Sequence, residues 1–253
     1  MYRGHATAVV MPIHNEEDHL ARAISRVPSF VDTIVAVDDG STDRTWEKLS
    51  QIKADNLVCL RHEVNLGVGA ATKTGYRYLL EGGFDLIAVM DGDGQMDGDD
   101  LALLLDSAIA GADYVKGNRF LHRETIRRMP AGRYIGNTIF SWLTRRAAML
   151  EIDLDAQCGY TVIRNSALKL LDLDRMYDRY GFPNEMVFAA SRMGLVVKSV
   201  PVRCIYSDEV SGINPFTAVP VIICLIARSY LRRKLSLDSS AVSLRLKSEE
   251  RNL

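Results

Sequence analysis

The chain carries at residues 86–95 the sequence Leu86-Ile87-Ala88-Val89-Met90-Asp91-Gly92-Asp93-Gly94-Gln95. Its leading apolar residues are followed by an acidic, glycine-rich turn, a pattern that predicts a short strand buried within a parallel sheet. In open α/β sheets the carboxyl ends of such strands border the crevice in which ligands bind. The segment therefore predicts a central strand and the position of a binding site.

Two carboxylates, Asp91 and Asp93, follow the apolar run. Their i, i+2 spacing places both on one side of the chain if the extended backbone continues, and Gly92 allows the main chain to approach a ligand closely. Hard oxygen ligands grouped in this way suit a divalent metal ion that carries a phosphorylated substrate. An acidic turn in solvent is the alternative for an isolated Asp-Gly-Asp sequence, so the rest of the chain has to decide between the two.

The composition limits the classes of protein to consider. The chain has 253 residues, of which 47% are hydrophobic, and a formal net charge of -1. This length favours one large α/β domain over two small ones, and the near-neutral charge gives no support for nucleic-acid binding. The cysteines contain no Cys-x-x-Cys pair, which argues against a zinc site and a disulfide framework. Residues 1–8 lack a basic region followed by an apolar stretch, so we expect a cytoplasmic location.

Strand-like and helix-like patterns alternate through the first half of the chain. The β-prone runs lie at residues 6–13, 33–37, 56–61 and 86–90, and helical patterns lie at 14–27, around Trp46 and Leu49, and up to Leu80. Acidic residues follow two of these runs, at Asp38-Asp39 and at Asp91. The alternation predicts an α/β fold with a doubly wound, mostly parallel sheet flanked by helices and joined by right-handed crossovers.

The glycine-rich segment after the third strand does not indicate a dinucleotide-binding enzyme. It reads Gly67-Val68-Gly69-Ala70-Ala71-Thr72, with threonine at the position of the third glycine of the GxGxxG pattern. It also follows the third strand rather than the first, where that pattern belongs. A dehydrogenase is therefore disfavoured.

Four short motifs together carry a more specific signal. They are Pro12-Ile13-His14-Asn15-Glu16, Val37-Asp38-Asp39-Gly40-Ser41, Asn65-Leu66-Gly67-Val68-Gly69 and Asp91-Gly92-Asp93-Gly94-Gln95. In this order and spacing they resemble family 2 glycosyltransferases of GT-A fold, and more closely the dolichyl- and polyprenyl-phosphate mannose or glucose synthases. The resemblance covers residues 6–215. It implies an inverting transferase that moves a sugar from GDP-mannose or UDP-glucose to a polyprenyl phosphate.

The resemblance also implies roles for individual residues. The expected nucleotide-sugar-binding residues are Pro12, His14, Glu16, Val37, Asp39, Gly69, Asp91, Gly92 and Asp93. The expected ligands of Mg²⁺ or Mn²⁺ are Asp91, Asp93 and Gln95. Position 14 departs from the family, which usually has Tyr or Phe there, although the imidazole of His14 can also stack on a base.

Arginines in the second half of the chain suggest a phosphate site. Guanidinium groups near a helix N-terminus suit a phosphate, and the resemblance assigns Arg119, Arg133 and Asn137 to the lipid phosphate of the acceptor. For the neighbouring Arg127 and Arg128 we favour the alternative, a basic loop in solvent.

Three further residues are candidates for the catalytic centre besides Asp93. Asp155 and Gln157 lie in a segment that resembles the acceptor-loop motif of the family, with an ordinary turn as the alternative. Glu185 would be the general base if the acceptor were a hydroxyl, whereas an ionised phosphate acceptor does not need one. The alternatives are therefore transfer to a soluble or cell-envelope hydroxyl, or a non-catalytic subunit that binds sugar nucleotides.

The C-terminal part is predicted as a separate segment, with a glycosyltransferase domain at residues 1–214 and an amphipathic helix and tail at 215–253. The uncharged run at 213–227 is shorter than the roughly 20 residues that cross a bilayer. With the basic cluster at residues 228–234 it predicts a helix at the inner surface of the membrane. A core helix or a homo-oligomer interface is the alternative. The polar loop at 206–213 is predicted to close over the donor.

Overall fold

The computed structural model describes residues 1–205 and 219–234. The strands of the described part are β1 (Thr7–Ile13), β2 (Thr33–Asp39), β3 (Leu57–His62), β4 (Leu86–Val89), β5 (Tyr114–Asn118), β6 (Thr161–Arg164) and β7 (Val197–Pro201). They form one sheet in the order β3-β2-β1-β4-β6-β5-β7. Strand β6 is antiparallel to both of its neighbours, and the other pairs are parallel. The predicted mostly parallel α/β sheet is confirmed.

Helices cover both faces of this sheet. They are α1 (Leu20–Ser25), α2 (Thr45–Gln51), α3 (Val68–Leu80), α4 (Leu101–Ile109), α5 (Arg123–Arg128), α6 (Ala131–Ala148), α7 (Asn165–Leu168), α8 (Phe182–Arg192) and α9 (219–234). Short 3₁₀ turns lie at Gly98–Asp100, Arg119–Leu121 and Leu173–Arg175.

The central strand β1 is buried along its whole length because both faces of the sheet are covered. Its residues alternate between two hydrophobic clusters, as the two-residue period of a strand requires. Val10 belongs to one cluster, which also contains residues of α3 and α8. Val9 and Met11 belong to the other, with residues of α1 and α4. A continuous apolar strand is therefore stable here, whereas a half-exposed strand would need polar residues at every second position.

The pairing register brings the carboxyl ends of the central strands to one edge of the sheet. Val10 of β1 is paired with Val89 at the end of β4, and Ile13 is paired with Asp38 of β2. Beyond β4 the main-chain N–H of Gly92 donates to the carbonyl of Pro12 over 3.1 Å. A Cβ atom at Gly92 would lie 2.8 Å from the Cγ1 of Ile13, so a larger residue would push the acidic turn away from β1.

The helix predicted from residue 14 to about 27 begins only at Leu20. The preceding residues form a loop because side chains near α2 bind their main-chain N–H groups. Asn15 N donates to Ser41 Oγ over 2.9 Å and Glu16 N donates to Thr45 Oγ1 over 2.8 Å. These contacts satisfy donors that a helix start would leave unpaired, and they hold the loop at the end of β1.

Helix α9 packs on the domain. Ile222, Leu225 and Ile226 are buried, and Ile222 and Ile226 belong to the same hydrophobic cluster as Val10. These contacts fit the packed alternative, and a membrane-surface role for the C-terminal segment stays a prediction. Within residues 1–205 and 219–234, no helix is both long and apolar enough to cross a bilayer. The predicted boundary at 214/215, the loop at 206–213 and the tail from 235 lie outside the described residues.

Candidate active site

The acidic turn after β4 places two carboxylates close enough to interact. The pKa of Asp91 is raised to about 7, chiefly because the side chain is removed from water and next because Asp93 lies nearby, while Arg119 and Lys116 act in the opposite direction. Asp93 Oδ1 accepts a hydrogen bond from the main-chain N–H of Gln95 over 2.9 Å. This bond closes the turn, so the position of Asp93 is fixed by the local backbone.

These residues fit a divalent cation held jointly with a substrate. The pKa of Asp91 is raised first by burial and then by Asp93, and Arg119 and Lys116 do not fully offset these two effects. A bound cation would favour the ionised carboxylate. The described part of the chain has no cluster of three or more His, Cys, Asp or Glu side chains that could enclose a metal ion. Asp91, Asp93 and the amide of Gln95 would therefore supply only some of the ligands, and Mg²⁺ bound in this way commonly takes the others from substrate phosphates and water.

The predicted nucleoside residues surround the ends of β1 and β2, but not all of them can use their side chains. Pro12 is buried and Val37 is 0% exposed, so neither residue offers accessible surface to a ligand in this structure, and their binding roles stay predictions. His14 is half-buried, and its Nδ1 lies 2.9 Å from the main-chain oxygen of Asp39. The imidazole is therefore held at the strand end, in a position where a ring can stack on a base.

Asp39 is held by the protein itself. Its carboxylate accepts hydrogen bonds from the main-chain N–H groups of Leu66 at 3.0 Å and Gly67 at 2.7 Å. His62 Nδ1 lies 2.7 Å from the same carboxylate. Asp39 thus orders the turn before α3, where Gly67 has a φ of +111°. The sequence analysis did not identify His62, because nothing in the sequence connects the end of β3 with that of β2.

Tyr180 joins the site from a distant part of the chain. Its pKa is raised by partial burial first and then by the negative charges of Asp91 and Glu16, while Arg179 acts in the opposite direction. The segment before Tyr180 packs on the start of α3, where a Cβ atom at Gly69 would lie 2.6 Å from the carbonyl oxygen of Tyr177. Gly69 therefore has a packing role in this structure. Nothing in the sequence pattern singles out Tyr180.

Arg119 was predicted to bind the acceptor phosphate and Asp155 to belong to the catalytic centre, and in the structure the two side chains form an ion pair. Arg119 Nε donates to Asp155 Oδ2 over 2.6 Å and Arg119 Nη2 donates to Oδ1 over 3.0 Å. Asp155 is fully buried and Arg119 is 7% exposed. The bidentate pair fixes the guanidinium plane close to Asp91.

Lys116 is a buried cation that sequence reasoning missed. Its side chain is fully buried, and Nζ donates to the carbonyl of Cys158 over 2.7 Å. Burial lowers the pKa of Lys116 to about 8. The next residue, Gly159, lies so close to Asp91 that a Cβ atom would be 2.6 Å from its Oδ2. Lys116 thus holds the loop that forms one wall around Asp91. The sequence did contain a sign that Lys116 is buried: it lies in β5 two residues after Tyr114, and residues two apart in a strand point to the same face.

The remaining acceptor candidates lie on or beside α6. Gln157 Nε2 donates to Asn184 Oδ1 over 3.2 Å, and Asn184 Nδ2 donates to Thr144 Oγ1 over 2.8 Å. These bonds tie the predicted acceptor loop to α8 and α6. Arg133 and Asn137 lie one turn apart in the first half of α6 and are half-buried.

Glu185 lines a different cavity from Asp91. It is 5% exposed, its Oε2 accepts from Arg228 Nη2 over 2.7 Å, and it lines a cavity bordered by α8 and α9. The small cavity beside Asp91 is lined by other residues of α8, Phe182, Pro183 and Met186. The two cavities share no lining residue.

The chain matches a known protein family over more than half of its length. The model of the family described as glycosyl transferase family 2 matches residues 8–171. The chain belongs to glycosyl transferase family 2. Membership confirms the family that the four motifs predicted, and it makes the protein a glycosyltransferase.

Two of the relatives whose names state an acceptor cover most of the chain. One is the UDP-N-acetylglucosamine–dolichyl-phosphate N-acetylglucosaminyltransferase of Methanococcus voltae, which is 28% identical over 79% of this chain and 86% of its own length. The other is the undecaprenyl-phosphate mannosyltransferase of Micrococcus luteus, which is 30% identical over 76% of this chain and 81% of its own length.

A solved structure supports the fold. Glucosyl-3-phosphoglycerate synthase from Mycobacterium tuberculosis, determined with Mn²⁺, UDP and glucosyl-3-phosphoglycerate, superposes with a TM-score of 0.63. The two sequences are 19% identical, and the match covers 91% of this chain and 80% of that one. The likeness shows the GT-A fold, as the motifs predicted.

Proposed function

We propose that this family 2 glycosyltransferase transfers mannose or glucose from a nucleotide-sugar to a polyprenyl phosphate at a membrane surface, with inversion at the anomeric carbon. The observation that carries the proposal is the meeting of two carboxylates, Asp91 and Asp93, with two buried cations, Arg119 and Lys116. The carboxylates suit a metal-bound diphosphate, and a guanidinium beside them suits a second phosphate. The dolichyl and undecaprenyl phosphate acceptors in the names of two relatives support the same acceptor class.

On the donor side, the chain binds and orients the nucleotide. The ring of His14 and the carboxylate of Glu16 face the nucleoside, and the turn ordered by Asp39 forms the adjoining wall. Asp91, Asp93 and Gln95 would hold Mg²⁺ or Mn²⁺, which when bound neutralises charge on the leaving diphosphate. Gly92, fixed to β1 by its bond to Pro12, keeps the acidic turn close to the diphosphate.

On the acceptor side, the chain positions a phosphate for attack. Arg119, oriented by Asp155, binds the lipid phosphate together with Arg133 and Asn137 of α6. A phosphate oxygen forms the bond to the anomeric carbon on the face opposite to the nucleoside diphosphate, whose bond to that carbon breaks. Positioning supplies much of the rate enhancement. Because the phosphate is already ionised, no general base is needed, in keeping with the pairing of Glu185 with Arg228.

Helix α6 supports an approach to the membrane. Ile135, Ile139 and Trp142 are exposed by 58%, 51% and 52% and follow one another at helical spacing on one face. The same helix carries Arg133 and Asn137, so the apolar face and the predicted phosphate ligands lie on one element. The isoprenoid tail of the acceptor stays in the bilayer, and the enzyme therefore has to reach it there. We propose that α6, rather than α9, contacts the lipid surface.

Transfer assays with purified protein and Mn²⁺ test the proposal. GDP-mannose and UDP-glucose are each offered with a polyprenyl phosphate or with the matching polyprenol, which lacks the phosphate. We expect product only with the phosphate, with the anomeric configuration of the donor inverted in its NMR spectrum. Asp93→Asn, which keeps the size of the side chain, should abolish both transfer and metal-dependent nucleotide binding. Efficient transfer to the polyprenol, or full activity in excess chelator, would contradict the proposal.

A further inference from the structure

A second cavity lies apart from the site around Asp91. It has a volume of about 510 Å³ and is bordered by α8, α9 and residues 170–176. Its apolar wall is formed by Leu170, Leu171, Met176, Ala189 and Met193. The cations that line it are Arg175, Arg192 and Arg232. This size is within the range of small-molecule sites.

Positive side chains outnumber negative ones around this cavity. Arg228 is paired with Glu185 over 2.7 Å and Arg175 with Asp172 over 3.0 Å, so both carboxylates that line the cavity already have a cationic partner. By contrast, the guanidinium groups of Arg192 and Arg232 make no hydrogen bond or ion pair with any residue in the described part of the chain. Two guanidinium groups, one from α8 and one from α9, therefore remain available at the cavity.

The electrostatic environment of Arg192 agrees with an excess of positive charge at this cavity. Its pKa is lowered, first by partial removal of the guanidinium from water and then by Arg232, Arg228 and Arg233, with Glu185 acting in the opposite direction. Like charges that repel one another across a cavity are stabilised by an anion placed between them.

The chemistry of the two free groups points to a phosphate. A guanidinium presents its N–H donors in a planar fork that matches phosphate oxygens, and a phosphate has enough oxygens to accept from two such forks at once. A phosphate alone leaves the apolar wall of the cavity uncovered. An organic group on the phosphate would contact Leu171, Met176 and Ala189.

We propose that this cavity is a second binding site, for a phosphorylated organic molecule whose phosphate accepts hydrogen bonds from Arg192 and Arg232. The bound phosphate would link α9 to α8 and so fasten the C-terminal helix to the domain. This site is separate from the proposed transfer reaction and does not depend on it, since none of its residues surrounds Asp91 or binds the donor.

Amide hydrogen exchange of the full chain in chelator tests the site, because it reports protection of α9 separately from any phosphate bound near Arg119. Inorganic phosphate should slow exchange in residues 219–234 in a saturable manner. Arg192→Gln and Arg232→Gln should each raise the phosphate concentration for half-protection by roughly tenfold to a hundredfold, the loss expected for a charge-assisted hydrogen bond. Both arginines are exposed, so the variants should fold, and circular dichroism checks this.

Two controls sharpen the result. Arg3→Gln removes an exposed arginine that pairs with Asp106 at the other end of the chain, and it should leave the half-protection concentration unchanged. Asp93→Asn should also leave it unchanged, which separates this site from the donor site. Protection of α9 that is equal in the wild-type protein, Arg192→Gln and Arg232→Gln would overturn the proposal, and so would no protection at any phosphate concentration.

The source of the phosphate is resolved by comparing probes. Monobutyl phosphate should protect α9 at lower concentration than inorganic phosphate does, because its alkyl group contacts the apolar wall. Vesicles of phosphatidylcholine with phosphatidic acid are compared with phosphatidylcholine alone. Protection by monobutyl phosphate without protection by the vesicles assigns a soluble ligand, and protection by both assigns a lipid headgroup. A monobutyl phosphate that binds no better than inorganic phosphate would refute the role of the apolar wall.

Discussion

Replacing Arg119 by glutamine would leave Asp155 without its bidentate partner. Asp155 is fully buried, and its two oxygens accept from Arg119 at 2.6 and 3.0 Å. Removing one partner of a buried ion pair costs about 3 to 5 kcal/mol, because the remaining charge stays buried without compensation. Typical domains have a net stability of about 5 to 15 kcal/mol, so the variant would lose a large part of it. For a chain of this size the loss corresponds to a fall in Tm of roughly 6 to 20 °C.

The double variant Arg119→Gln/Asp155→Asn separates loss of the pair from loss of shape. It removes both charges and keeps both side-chain volumes similar, so we expect it to recover most of the lost stability. Urea unfolding of the wild-type protein, both single variants and the double variant gives the coupling energy directly. A loss below about 1 kcal/mol in Arg119→Gln, the value of an exposed pair, would refute the reasoning, as would strictly additive effects.

The same variants separate folding from acceptor binding. At a temperature where Arg119→Gln is fully folded, we expect the KM for the polyprenyl phosphate to rise by about tenfold to a hundredfold, because a charge-assisted hydrogen bond to phosphate is lost. Nucleotide affinity should stay nearly unchanged. If nucleotide binding weakens as much as acceptor use, Arg119 has no specific acceptor role.

Three further predictions follow from the described contacts. Asp91→Asn should raise the Tm of the metal-free protein near pH 8 and have little effect on it near pH 4. The folded-state pKa of Asp91 is about 7 and its ordinary value is 3.8. Ionisation of Asp91 therefore destabilises the folded protein as the pH rises through this interval, and asparagine cannot ionise. Thermal unfolding in chelator at several pH values measures it, and a gain that is independent of pH would contradict it. Ile139→Ser with Trp142→Ser should weaken sedimentation with anionic vesicles without lowering Tm, since both side chains are about half exposed; unchanged sedimentation would exclude this face. Arg233→Gln should lower the free energy of unfolding by about 1 to 3 kcal/mol, because the guanidinium of Arg233 donates to Ala148 O at 2.9 Å and to Ser191 Oγ at 2.7 Å. Urea unfolding that matches the wild type would show that these bonds contribute nothing.

The parts of the fold that depend on local pattern could be predicted from the sequence. The apolar runs of β1 and β4 are continuous because both faces of the sheet are covered, and they therefore stand out in the chain. The antiparallel direction of β6 could not be predicted, since Thr161–Arg164 has the same composition as a parallel strand. The direction of β6 depends on the end of the sheet at which the chain enters this strand after α6. Packing of α6 against the sheet decides this, and no local sequence pattern records it.

The candidate site was predictable only in part, for a related reason. Asp91 and Asp93 lie two positions apart in one short segment, so a single sequence pattern reveals both. The Arg119–Asp155 pair joins residues that are 36 positions apart, and the Arg228–Glu185 pair joins residues that are 43 apart. A pattern along the chain reveals a charged residue at each of these positions, whereas which charges neutralise one another is decided by the three-dimensional packing.

The strand order has a consequence for how the chain folds during synthesis. Strands β1 to β4 occupy residues 7–89 and are neighbours in the sheet, so they can assemble as soon as they leave the ribosome. Strand β5 emerges next, but its place beside β4 is taken by β6 in the finished sheet. The edge of β4 must therefore stay unpaired until residues 161–164 arrive, and pairing with β5 in the meantime would be a kinetic trap. Asp91 is thus synthesised and placed well before the loop at Gly159 that encloses it.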